Sequence, residues 1–208
     1  MKLIAHRGNN NHKYDENTYD AIINSLNKNY ISGVEIDVRI TKDKEVILYH
    51  DKLLHGTAVN RLEYNDIKNK NNSITKLDYL LNNIKTDKLI LIELKSEIND
   101  YHELVDRVVN IIRKSNLNIY LCSFNYNLLK YLNKKYDKYP IGIIVGNIIN
   151  HKYIGSFDFT SIKYSNYDGN KDEKFIWTIN NKKEISKFID SDLYVITDKA
   201  YIFKSYFL

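Results

Sequence analysis

Gly33-Val34-Glu35-Ile36-Asp37-Val38-Arg39-Ile40-Thr41 alternates without a break. Side chains along a strand repeat every two residues, so Val34, Ile36, Val38 and Ile40 share one face and Glu35, Asp37 and Arg39 the other. A strand with one β-branched apolar face and two carboxylates on its other face fits two settings. It is a surface strand with a wet outer face, or a barrel strand that packs outward on helices and turns its polar side to the barrel mouth. The flanking sequence decides between them.

Short apolar runs recur on both sides of this stretch, at Leu3–Ala5, Leu89–Lys95, Asn118–Phe124, Ile141–Val145, Phe157–Tyr164, Phe175–Ile179 and Leu193–Thr197. With Gly33–Thr41 they make eight strands. Helical periodicity separates most of them. A helix opens at Glu16-Asn17-Thr18 and carries Ala21, Ile22 and Leu26. Others run from Lys76 to Ile84, Tyr101 to Arg113, Leu128 to Tyr136 and Lys183 to Ile189, with a terminal one from Tyr201 to Phe207 and a short one over Ile148–Tyr153. Val46–Tyr49 adds a short extra strand, and Lys52–Ser73 reads as polar and weakly structured. Strands alternating with helices predict a parallel sheet, and eight repeats predict a compact α/β fold, a (β/α)8 TIM barrel with shortened helices and no large cap domain. An open doubly wound sheet would need a Gly-rich phosphate turn after the first strand, which Gly8 alone does not supply.

The 208 residues are read as a single domain over 1–208, and 43% apolar content excludes a disordered chain. The formal charge of +5 arises in a composition rich in Lys, Asn, Ile and Tyr throughout. No nucleic-acid partner is expected from it, since a nucleic-acid footprint is a local basic stripe. Cys122 is the sole cysteine, which excludes an intramolecular disulfide and a cysteine-based zinc site and marks a small core residue. No run approaches the ~20 apolar residues of a membrane span, and Met1–Ala5 is too short for a signal sequence. The expected location is therefore cytoplasmic.

Polar groups gather at the C-terminal ends of the strands: His6, Arg7, Glu35, Asp37, His50, Glu93, Lys95, Ser123, Trp177, Asn180, Thr197 and Asp198. In a barrel those ends form one rim, where barrel active sites lie. Carboxylates converging there repel unless a cation sits between them, and oxygen ligands favour Mg²⁺, Ca²⁺ or Mn²⁺. Two histidines move protons near neutral pH, and Arg7 and Lys95 suit a phosphate. Each residue also has a plain structural reading. Glu-x-Asp on a strand is usually a solvated face, and Trp177 more often fills a core than touches a ligand. Ser123 lacks the Gly-x-Ser-x-Gly elbow of a nucleophile. His12, His55, His102 and His151 read as solvated.

Taken together, His6-Arg7-Gly8, Glu16-Asn17-Thr18, Glu35-Ile36-Asp37-Val38, His50-Asp51, Ile92-Glu93-Leu94-Lys95, Ser123-Phe124, Trp177-Thr178-Ile179-Asn180 and Ile196-Thr197-Asp198 resemble the glycerophosphodiester phosphodiesterase family. They run in family order over nearly the whole chain. The resemblance implies a metal-dependent barrel that hydrolyses small glycerophosphodiesters to glycerol 3-phosphate and an alcohol. It implies His6 and His50 as the acid–base pair. It implies Glu35, Asp37 and Glu93, with His50 beside them, as ligands of Mg²⁺, Ca²⁺ or Mn²⁺. Arg7 and Lys95, joined by Glu16 and Trp177, become the substrate and phosphate contacts. Asp15 and Gly56 depart from the family pattern, at positions where Pro and Arg are usual. Two alternatives stay open: a phospholipase D-like enzyme on lysophospholipid or sphingomyelin, and a non-catalytic phosphate- or nucleic-acid-binding barrel. The small polar loops predict weak discrimination between head groups.

Overall fold

A computed structural model describes residues 1–9, 13–96, 101–146, 151–170 and 172–207. In chain order the strands are β1 (Lys2–Ala5), β2 (Gly33–Ile40), β3 (Val46–Leu48), β4 (Leu53–Leu54), β5 (Thr57–Ala58), β6 (Leu89–Leu94), β7 (Ile119–Ser123), β8 (Ile141–Val145), β9 (Phe159–Lys163), β10 (Glu173–Trp177) and β11 (Tyr194–Thr197). The longer helices are α1 (Tyr19–Leu26), α2 (Tyr64–Lys70), α3 (Leu77–Asn83), α4 (Tyr101–Ile112) and α5 (Tyr126–Lys135). The parallel order β1-β11-β10-β9-β8-β7-β6-β2 closes on itself through Ile4↔Gly33 and Ala5↔Val34. The doubly wound alternative is thereby excluded, because an open sheet has two edges. β3 folds back antiparallel on the end of β2, with Val38 opposite Leu48.

Alternation along each strand feeds two separate apolar layers. Val34, Ile36, Val38 and Ile40 join Ile90, Ile92 and Leu94 under the helices. The inward positions Ile4, Leu91, Cys122, Ile144, Phe159, Phe175 and Ile196 fill the barrel itself. At the N-terminal end the interior is closed by aromatic rings, with Phe159 5.0 Å from Phe175 and Phe175 stacked 4.7 Å from Tyr194. Gly142 on β8 makes room for this layer, since a Cβ there would meet the Phe159 ring at 2.1 Å. Outside, the helices bury regular apolar stripes. α1 begins where the Thr18 hydroxyl accepts from Ala21 N–H, and α5 where the Asn125 side chain accepts from Leu128 N–H, both N-caps that satisfy a first-turn donor.

The structure corrects the sequence reading in four places. Lys52–Ser73 is not weakly structured: it forms the β4–β5 hairpin, a 3₁₀ turn at Val59–Arg61 and α2. Its few apolar residues, Leu54, Val59 and Ile67, are enough because they close on Ile47 and Ile74 in a small cluster of their own. β10 starts at Glu173 and ends at Trp177, so Thr178 and Ile179 lie beyond it, although Ile179 N–H still bonds to Ile196 O. The helices expected at Lys183–Ile189 and Tyr201–Phe207 are shorter or tighter: four α-helical residues (Lys182–Ile185) run into a 3₁₀ turn, and Ala200–Tyr206 is 3₁₀ throughout. His151 is half-buried with Nε2 enclosed, whereas His55 and His102 are exposed as expected. His12 and residues 148–150 of the helix expected over Ile148–Tyr153 lie outside the described residues. No described helix is long and apolar enough to cross a membrane.

Candidate active site

Register builds the centre of the rim. In the parallel β2–β6 pair Asp37 stands beside Glu93, and Glu35 lies one side-chain repeat back on the same inward face. All three are buried, 1% exposed for Asp37, 4% for Glu35 and 8% for Glu93, and each offers an oxygen within 4.8 Å of the others. His50 lies outside that group of ligand atoms among the described residues.

Cations and amides surround the carboxylates. The Lys95 ammonium sits 2.7 Å from Glu93 Oε1 and 3.2 Å from Asp37 Oδ1. The Arg7 guanidinium reaches Asp37 at 3.4 Å and donates to Glu16 Oε1 at 2.7 Å, while its backbone N–H donates to Glu35 Oε2 at 2.9 Å. That backbone bond is possible because Arg7 adopts φ 51°, a left-handed turn directly after β1. Asn17, also left-handed at φ 56°, clasps Asp37 from both sides: its amide donates to Oδ2 and its carbonyl accepts from Asp37 N–H.

Both histidines are anchored through Nδ1. His6 contacts Asp198 Oδ1 at 2.5 Å, and His50 contacts Asp51 Oδ1 at 2.8 Å. A carboxylate on Nδ1 fixes the tautomer and orientation of an imidazole and leaves Nε2 for chemistry. His6 Nε2 lies 3.8 Å from Glu35. Asn180 continues the chain behind His6, donating to Asp198 Oδ2 at 2.7 Å and accepting from Thr197 and from Asp198 N–H.

These placements shift the titrations. Burial, and then the neighbouring Asp37 charge, push Glu35 up to about 8. Burial also raises Glu93, to about 7, against the pull of Lys95. Burial acts on Asp37 too, but Lys95, Asn17, His50 and Arg7 outweigh it and hold the group below its usual range. His6 is raised, because Asp198 and Glu35 overcome the effect of burial, and His50 is lowered by burial. Three buried oxygen donors, two of which resist ionisation without a counter-charge, fit a hard divalent cation.

His6, Arg7, Glu35, Asp37, His50, Glu93, Lys95 and Trp177 open onto one cavity of about 210 Å³. Glu16 is outside it, holding Arg7 from behind. Ser123 turns away, donating to Leu94 O and accepting from Asn125 N–H, a structural role. Sequence reasoning gave no role to Asn17, Asn180 or Asp198, although all three stood in quoted motifs. Their partners are 20, 18 and 192 residues away, so only the closed barrel shows the contacts. Phe124, placed at the end of a strand and quoted with Ser123, was given no role either, having nothing polar to mark it.

The model of the glycerophosphoryl diester phosphodiesterase family matches residues 6–152, from the first site histidine to beyond the end of β8. The chain belongs to that family. Among curated relatives it is 28% identical over 147 residues to protein YqiK of Bacillus subtilis, covering 62% of this chain and 60% of that protein. A glycerophosphodiester phosphodiesterase of Bacillus altitudinis is 26% identical over 168 residues, 71% of this chain and 68% of the relative. The barrel superposes on a phosphodiesterase of Oleispira antarctica solved with the product sn-glycerol-3-phosphate, at a TM-score of 0.85 and 19% identity, covering 100% of this chain and 96% of that one.

Proposed function

We propose that this chain, acting as one domain over residues 1–208, hydrolyses glycerophosphodiesters to glycerol 3-phosphate and an alcohol. One observation carries the reading: a single rim cavity collects three buried carboxylates, two carboxylate-anchored histidines and two cations. The name of the Bacillus altitudinis relative and the product bound in the Oleispira antarctica structure support it.

Glu35, Asp37 and Glu93 would hold a divalent cation, Mg²⁺, Ca²⁺ or Mn²⁺, with His50 beside them. When bound, it neutralises phosphate charge and polarises the phosphoryl oxygens. Arg7 and Lys95 face the same space and attract the phosphodiester anion. Glu16 keeps the guanidinium of Arg7 directed, and Trp177 walls the cavity. Of the two imidazoles, one takes the proton from the attacking hydroxyl, either water or the glycerol 2-hydroxyl. The other gives a proton to the departing alkoxide as its bond to phosphorus breaks. If the 2-hydroxyl attacks, the same pair acts in reverse as water opens the cyclic phosphate. Asp198 and Asp51 stabilise the imidazolium forms and hold each ring in place.

The test is turnover of glycerophosphocholine in Mg²⁺, Ca²⁺ or Mn²⁺, with glycerol 3-phosphate and choline measured together. Equal release of both is expected. Release of phosphocholine, or no turnover with any of the three cations, contradicts the reading. The lysophospholipid and sphingomyelin alternative predicts faster turnover of those lipids. The non-catalytic barrel predicts binding without product.

A further inference from the structure

The part of the cavity wall farthest in character from the charged centre is an aromatic corner built by three different strands. Phe124 follows β7, Gly146 follows β8, and Trp177 ends β10. The Phe124 and Trp177 rings meet edge to face, 5.8 Å between centroids at 85°. Trp177 is fixed by its indole N–H, which donates to Ser161 O at 3.1 Å. Both rings line the cavity, yet Phe124 is 41% exposed, unusual for a phenylalanine beside a well-packed barrel. Gly146 keeps the corner open. A Cβ there would come within 3.2 Å of both rings, so a larger residue would push the pair.

We propose that this corner is the subsite for the alcohol side of the substrate and that it selects a quaternary ammonium head. The inference rests on the phosphodiesterase reading and adds its specificity. A glycerol or other hydroxylated head would lose water against two rings that offer no acceptor to its hydroxyls. A trimethylammonium group has no hydrogen bond to lose and is attracted by ring faces, tryptophan most strongly. The Lys95 ammonium, 5.8 Å from the Phe124 centroid, does not take over this role, since it is tied to Glu93 and Asp37. The cavity of about 210 Å³ suits a small head, not an acyl chain. Discrimination therefore comes from Phe124 and Trp177, not from the segment Lys52–Ser73, which contributes no lining residue.

Trp177 is the single tryptophan of the chain, so its fluorescence reads the corner directly and without catalysis. The His6→Ala protein in Mg²⁺, slowed in turnover, is titrated with glycerophosphocholine and with glycerophosphoglycerol, and kcat/KM of the unaltered protein is measured for both. The choline ester is expected to perturb Trp177 at about tenfold lower concentration and to be turned over with about tenfold higher kcat/KM, the scale of one desolvated cation–π contact. Phe124→Ala and Phe124→Leu should both lower the choline-to-glycerol ratio toward one, and Phe124→Tyr should keep it. Equal titration midpoints for the two ligands, or a ratio unmoved by Phe124→Leu, would overturn the corner. Turnover without head-group preference sinks this inference and leaves the phosphodiesterase reading standing. Discriminating fluorescence without turnover of either ester does the reverse. No binding and no turnover removes both.

Discussion

The same barrel interior ends in two different ways. At the N-terminal end the inward positions are Tyr120, Phe159, Phe175 and Tyr194, which satisfy one another through ring contacts. At the C-terminal end the inward positions include Glu35, Asp37 and Glu93, which do not satisfy one another and need Lys95, Arg7 and Asn17 around them. Even so, Glu35 and Glu93 stay pushed up to about 8 and about 7 by burial. One alternation pattern thus yields a floor whose packing holds the barrel together and a rim whose charges are held in tension for use. Stability and activity should separate along the barrel axis.

The largest effect expected is on the floor. Phe159→Ala should cost ~3–5 kcal/mol of unfolding free energy, the usual loss for a buried aromatic. Denaturant titration measures the loss, and kcat per folded molecule should stay near wild type. A fall in kcat as large as that from a rim substitution would erase the distinction between the two ends.

Next in size is the converse at the rim. His6→Ala and His50→Ala should each lower kcat by ~10²-fold or more, with little change in the denaturation midpoint. If either variant keeps normal kcat, its imidazole carries no proton in the reaction.

A smaller and opposite effect sharpens the contrast. Glu35→Gln removes one buried acid from three while retaining an acceptor for the Arg7 N–H. In cation-free buffer at pH 7 it should stabilise the protein by ~1–2 kcal/mol, because a buried carboxyl pushed up to about 8 must take up a proton on folding that the amide does not need, and it should lose activity. Destabilisation in that buffer would show that Glu35 is a structural acid.

The barrel strands were the easier half to read, since each of the eight lies at an apolar run, whereas which rings close the floor was not read in advance. The rim chemistry was half legible: strand ends marked His6, Glu35, Asp37, Glu93 and Lys95, but not what holds them. Asp198 reaches His6 across the pairing of β1 with β11, and Asn180 braces it from beyond β10, contacts that no local pattern carries. Asn17 acts from a left-handed turn with no strong sequence mark. Lys52–Ser73 was misread because three buried apolar residues among many polar ones look like a loop until Ile47 and Ile74 are placed against them.

The smallest effect expected lies outside the barrel altogether. Asp106 on α4 accepts from Lys135, Tyr136 and Tyr131; burial pushes its carboxyl up slightly, but these bonds outweigh that and hold it below its usual 3.8. A lowered folded-state value means the contribution is present above the unfolded value and is lost as pH falls through the folded one. The cluster is partly exposed and screened, so Asp106→Asn should cost less than ~1 kcal/mol at pH 7. That difference should fade as the pH drops below about 3.8, as read from urea midpoints. A multi-kcal/mol loss would mean that the helical layer, not the floor, carries the stability.

The central claim is that the buried acids of the rim exist to hold a divalent cation for phosphodiester hydrolysis. The most direct measurement is glycerol 3-phosphate release from glycerophosphocholine after exhaustive chelation, followed by readdition of Mg²⁺, Ca²⁺ or Mn²⁺. Turnover should vanish on chelation and return with at least one of the three ions, and Asp37→Asn should not be rescued at the same concentration. Full turnover in the chelated protein would contradict the account.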